Sequence, residues 1–185
     1  MRKLTITPIL LLIVNILFGQ IDDNIMKASW KPGKEKVIYG NTIFRVEGKN
    51  DIGGATNIGY ETLDQVKGGL IKRANTEMWT EEKKTETLAS YDNFAPGGLI
   101  HLYITRLTID AANTKMFTVI VKDTNEKEIF RKELDGDIPE TPSGGNYWWN
   151  YTTIPIDKKI EGSFFIYVID QLGSDNGKFK FEVKR

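Results

Sequence analysis

The sequence contains no cysteine and a single histidine, His101, among its 185 residues. The first absence excludes disulfides, thiolate nucleophiles, cysteine-ligated zinc and lipid attachment at a cysteine. The second excludes a two-histidine metal site and the zincin motif. A serine triad would have to use His101, and no Gly-x-Ser-x-Gly elbow presents the serine. His101 lies between Ile100 and Leu102 in a strand-like run, which reads as a structural strand histidine. An excess of either charge is also missing. With 25 basic and 25 acidic residues the formal net charge is zero, so no basic surplus is available for a nucleic-acid backbone. Gly53-Gly54 lacks the Gly-Lys-Ser/Thr ending of a phosphate loop. There is no internal repeat and no low-complexity segment.

One long apolar run is present, from Ile9 to Phe18. Arg2 and Lys3 precede it, and Gly19 and Gln20 follow it. This order predicts a signal peptide over residues 1–19, with cleavage after Gly19 and Gln20 at the mature N-terminus. The run is short against the roughly 20 residues of a spanning helix and holds Asn15. The expectation is an exported protein, periplasmic, cell-surface or secreted, with no transmembrane segment after cleavage and one domain over residues 20–185. Loss of Arg2 and Lys3 would leave 23 basic and 25 acidic residues, a net of −2.

Strand periodicity dominates the rest. Phe117, Val119 and Val121 alternate with Thr118, Ile120 and Lys122. After the turn Asp123–Lys127, Phe130, Lys132 and Leu134 alternate with Ile129, Arg131 and Glu133, a hairpin signature. Ile100, Leu102 and Ile104 share a face of the run Leu99–Leu107. Ser163–Asp170 is apolar on both faces, which places it at the centre of a sheet. Phe179, Phe181 and Val183 alternate with lysine and glutamate, which reads as a half-buried strand protected from edge pairing. Earlier runs, Val37–Tyr39 and Thr42–Glu47, flank Gly40-Asn41. Many short strands between turns predict an all-β antiparallel sandwich of immunoglobulin or C2-like size, with a closed barrel as the alternative.

Residues 48–98 depart from that pattern. From Tyr60, the positions Leu63, Val66, Leu70, Ile71 and Ala74 approximate helical spacing. Gly68-Gly69 interrupts it, so the expectation is one short helix ending before Gly68 in an otherwise irregular region. The charge run Thr80–Glu86 reads as a solvated face or loop.

Two kinds of site residue stand out. Tyr147, Trp148, Trp149 and Tyr151 load one strand with rings. Tyr147, Trp149 and Tyr151 fall on one face, and Trp148, Asn150, Thr152 and Ile154 on the other. Large aromatic side chains dominate cores, so burial of the Tyr-Trp-Tyr row is expected; exposed, it would be a platform for a glycan or a protein partner. The preceding Pro/Gly loop 135–146 is the expected neighbour of any such surface. Asp135 and Asp137, and Asp170 and Asp175, supply oxygen ligands in two loops, a calcium pattern that turn chemistry also explains. No catalytic residue and no cofactor beyond calcium is indicated. The functional expectation is a non-enzymatic binding module of the envelope or secreted space, with a carbohydrate-active enzyme or a structural envelope subunit as alternatives.

Overall fold

A computed structural model describes residues 21–27, 30–49, 54–141, 146–173 and 177–185. The expected signal peptide and Asp175 lie outside the described residues. A short helix, α1 (Asp23–Met26), leads into β1 (Lys34–Ile38), β2 (Asn41–Glu47) and β3 (Ala55–Glu61). Two helices follow, α2 (Leu63–Thr76) and α3 (Glu81–Phe94). The remaining strands are β4 (Leu99–Arg106), β5 (Phe117–Asp123), β6 (Glu128–Glu133), β7 (Trp148–Pro155), β8 (Phe164–Asp170) and β9 (Lys178–Val183). A six-stranded sheet has the order β1-β2-β9-β8-β5-β6, and a three-stranded sheet has the order β3-β4-β7; every pairing is antiparallel.

The two sheets face each other across one core, the expected sandwich. The large sheet contributes Phe117, Val119, Val121, Phe164, Ile166, Val168, Phe179, Phe181 and Val183. The small sheet contributes Ile58, Tyr60, Ile100, Leu102, Ile104 and Ile154. Strand alternation places these side chains inward, and burial of such residues supplies the main driving force. β8 lies between β5 and β9 inside the large sheet, which accounts for its two apolar faces. β9 is interior as well, paired on both sides by β2 and β8. Its lysines therefore do not guard an edge. They lie over rings on the outer face, Lys180 4.0 Å from the Phe165 centroid and Lys178 5.0 Å from that of Tyr167.

Among the described residues, three charged side chains, Arg106, Asp170 and Arg45, are buried in the sandwich. Arg106 of β4 and Asp170 of β8 meet at 2.6 Å and tie the sheets together. The same guanidinium donates to the Ala55 and Thr105 carbonyls and to Thr56 Oγ1, so its donors are satisfied. Arg45 of β2 points inward with Ile43 and donates to the carbonyls of Trp30 and Gly48. Burial pushes its guanidinium down to about 10.

The helical region corrects the sequence expectation. There is no break at Gly68: α2 continues through Gly68-Gly69 to Thr76. A Thr62–Gln65 capping box starts it, and Val66, Leu70 and Ala74 are buried. Nothing lies within 4 Å of a Cβ at either glycine, so they stand on an open face where packing elsewhere outweighs their cost of about 1 kcal/mol each. The charge run is a solvated face, one of the two expected readings, and forms the first half of α3 rather than a loop. Thr80 caps it by accepting from the Lys83 N–H, and Glu81 and Glu82 suit the positive end of the helix. Leu88, Tyr91, Phe94 and Ala95 pack on α2 in a second, smaller cluster with Leu99. Tyr60 belongs to β3 rather than to the helix.

Candidate functional site

β7 holds the aromatic load, and its register assigns the faces. Asn150 and Ile154 are buried on the core side, and Trp148 and Thr152 share that side with them, half-buried. Tyr147, Trp149 and Tyr151 turn outward, together with Tyr103 and His101 of β4, whose partners in the ladder are Tyr151 and Thr153. The expected burial of the Tyr-Trp-Tyr row is thus corrected. The inner face of β7 is used by Ile154 and by Asn150, whose Nδ2 donates to the Asp137 carbonyl at 3.2 Å. The row lies on the opposite face, and its three members differ in surroundings.

Tyr151 is engaged within the protein. Its hydroxyl is 2.6 Å from His101 Nδ1 and 2.9 Å from the Tyr39 hydroxyl, and His101 Nε2 is 2.8 Å from Glu61 Oε2. Asp22 closes the chain: its N–H donates to the Tyr39 hydroxyl, and its Oδ2 accepts the Tyr39 N–H at 2.8 Å. Tyr39 sits at φ 51° in the β1–β2 turn, with its ring 4.3 Å from that of His101. It lies over Gly59, where a Cβ would come within 2.7 Å of that ring. With His101 carrying its proton on Nε2, donors and acceptors alternate without a break from Asp22 through Tyr39 and Tyr151 to Glu61. Carboxylate, imidazole and hydroxyl follow the order of a nucleophile triad. The environment is the reverse of an activating one. His101 is 4% exposed, and burial raises the Tyr151 hydroxyl above its ordinary value, followed by the bond from Tyr39. A lowered value is what a nucleophile requires. The arrangement anchors residues 21–27 to the outer face of the small sheet, with Ile25 fully buried and Asn57 Nδ2 donating to its carbonyl.

The other end of the row is open. Tyr147 is 40% exposed, and Trp149 is half-buried with its ring 6.1 Å from that of Tyr103. Trp149 also exchanges two backbone hydrogen bonds with Glu140, 2.8 and 2.9 Å, so the loop after β6 runs along this strand. Ile138 in the same loop is 78% exposed. Residues 142–145 of the loop lie outside the described residues.

Where this loop leaves β6 a cleft of about 250 Å³ opens between the edges of the two sheets. It is lined by Thr114, Lys132, Leu134, Asp135 and Asp137 on one side and by Thr152 and Ile154 on the other. Thr114 fixes the loop: its hydroxyl donates to the Asp135 carbonyl and accepts the Asp137 N–H at 2.9 Å.

Of the candidate calcium ligands, Asp135 and Asp137 both line this cleft, and Asp175 lies outside the described residues. Asp170 is committed to Arg106 through Oδ2 and to the Leu172 N–H through Oδ1. Asp137 Oδ1 accepts the N–H of Ile138. Among the described residues no three histidine, aspartate or glutamate side chains converge as metal ligands. No helix among the described residues is long and apolar enough to cross a membrane. No protein-family model, no curated protein and no solved structure matches the chain.

Glu61, Tyr39, Asp22 and the cleft residue Lys132 were not among the residues singled out from sequence. The relay joins positions 22, 39, 61, 101 and 151, and no local pattern links them. Lys132 did carry a signal, as a lysine on the strand face of Phe130 and Leu134.

Proposed function

We propose that this protein is an exported, non-enzymatic binding module whose partner is a glycan in the envelope or secreted space. The observation that carries the reading is the outward-facing ledge of Tyr147, Trp149 and Tyr103 at one end of β7. Flat rings on an open sheet face offer apolar area at low entropic cost, and the C–H face of a sugar ring lies flat on such a surface. Sandwiches commonly carry recognition on loops beside a rigid strand, and the 134–141 loop is held against β7 in that manner. Export rests on the residue 1–19 pattern.

The reading is tested by tryptophan fluorescence during titration with cello-, xylo-, manno- and chito-oligosaccharides. Trp30 is buried in the core and Trp79 lies between α2 and α3, so a Trp79→Phe background leaves the β7 pair as the responsive rings. A saturable change that Trp149→Ala removes supports the ledge. Binding that survives Trp149→Ala in a folded protein contradicts it.

A further inference from the structure

Strand alternation assigns Lys132 to the inward face of β6, between Phe130 and Leu134, and Thr152 to the inward face of β7, between Asn150 and Ile154. Positions of this kind in a sandwich are ordinarily apolar; both side chains are half-buried, and their polar atoms remain open to solvent. Here the two polar positions lie on the edge strands of opposite sheets, and both line the cleft. Among the described residues neither the Lys132 ammonium nor the Thr152 hydroxyl has a hydrogen-bonding or ionic partner within the protein, and neither does the Asp135 carboxylate. Leu134 and Ile154, 8% and 1% exposed, supply the apolar part of a mainly polar lining. Thr114 holds the Asp135–Asp137 backbone in place without a ligand, so little ordering is needed on binding.

We propose that this cleft binds one pyranose-sized polyhydroxylated ring, neutral or amino-bearing. The size follows from the volume: about 250 Å³ is just under the roughly 300–1,000 Å³ of sites for drug-sized ligands and suits a single small ring. A small apolar part among unengaged donors and acceptors matches a molecule with a C–H face and peripheral hydroxyls. The charge preference follows from two carboxylates, Asp135 and Asp137, against one ammonium, Lys132. The ring is either a free monosaccharide or the terminal residue of a glycan. In the second case the next sugars leave through the mouth of the cleft, and the ledge at Trp149 lies on the opposite face of β7 as a separate surface. The proposal extends the glycan reading of the ledge and uses different side chains.

The experiment is an amide chemical-shift titration of the folded protein with methyl α-glucopyranoside, glucosamine and glucuronate, followed by chitotriose. The expected result is saturable shifts at Leu134–Asp137 and Thr152–Ile154, with glucosamine tighter than glucuronate. Thr152→Val and Asp135→Asn each weaken binding at least tenfold. Lys132→Met serves if Thr152→Val loses its native amide pattern. Chitotriose binding more tightly than glucosamine, with shifts still centred on the cleft, identifies a glycan end; equal affinity identifies the free sugar. Absence of saturable shifts at the cleft with all four probes overturns the proposal. So does tighter binding of glucuronate, or binding that persists in the cleft variants. If the cleft variants fail to bind and Trp149→Ala binds chitotriose normally, the ledge reading falls and the cleft stands. If only Trp149→Ala loses binding, the reverse holds.

Discussion

The outer-face aromatic residues of β7 divide into two groups with the same chemistry and opposite uses. At one end, Tyr151 is joined to His101, Tyr39 and, through them, Glu61 and Asp22. At the other, Tyr147 is exposed, and Trp149 keeps its ring half-open beside Tyr103 while its backbone pairs with a surface loop. A ring whose polar end is saturated inside the protein contributes to stability. A ring that keeps one face open remains available to a partner. The difference lies in the neighbours supplied by other strands and turns rather than in the strand itself. The same contrast holds between the Asn150 amide, which is bonded to Asp137, and the Thr152 hydroxyl, which faces the cleft without a partner.

That division sets an order of expected effects. The largest belong to the shared core and do not distinguish the two ends. Phe181→Ala removes a fully buried ring and should cost about 3–5 kcal/mol. Asp170→Ala leaves Arg106 as an uncompensated charge between the sheets, again about 3–5 kcal/mol. Denaturant midpoints at constant m-value measure both, and a loss under about 1 kcal/mol would mean that the register is wrong.

Tyr151→Phe sharpens the comparison. It strips His101 Nδ1 of a donor and the Tyr39 hydroxyl of an acceptor, for an expected loss of about 1–3 kcal/mol. Limited proteolysis should then cut within residues 21–27 sooner than in the parent protein. Unchanged stability would break the division at its structural end. Trp149→Ala acts on the other end and should cost less than about 1.5 kcal/mol, the range of one ring pair at a half-open position.

The smallest expected effect lies on the outer face of the large sheet and depends on pH. Hydrogen bonds from Lys180 and then Tyr167 hold the Glu126 carboxyl down at about 2. A depressed folded-state value stabilises the protein at pH above the ordinary glutamate value of about 4.3. That contribution disappears as pH falls from about 4.5 towards 2. Glu126→Gln should flatten the acid limb of a melting-temperature profile over that window and leave the neutral plateau nearly unchanged. An acid limb that keeps its slope would show that other carboxylates carry it.

The sandwich was legible because its strands alternate cleanly: Phe117-Val119-Val121 and Ile100-Leu102-Ile104 declare their faces without tertiary information. β3 was not, because Ala-Thr-Asn-Ile-Gly-Tyr-Glu carries only two large apolar side chains and its outer positions are filled by the Asn57 and Tyr39 contacts. The second half of α2 is not legible locally, because the propensity of Gly68-Gly69 argues for a break and only the packing of Leu70 and Ala74 overrides it. The aromatic load of β7 is plain in the sequence, but which face turns outward depends on long-range pairing with β4. The cleft required both sheets, because Lys132 and Thr152 are twenty residues apart and become neighbours only when β6 and β7 form opposite edges.

The most direct test of the two-ended strand pairs Trp149→Ala with Tyr151→Phe. Oligosaccharide affinity and thermal midpoint are measured on each. The account predicts at least a tenfold loss of affinity with a nearly native midpoint for Trp149→Ala, and a lowered midpoint with native affinity below it for Tyr151→Phe. Native affinity in Trp149→Ala together with lost affinity in folded Tyr151→Phe would contradict it.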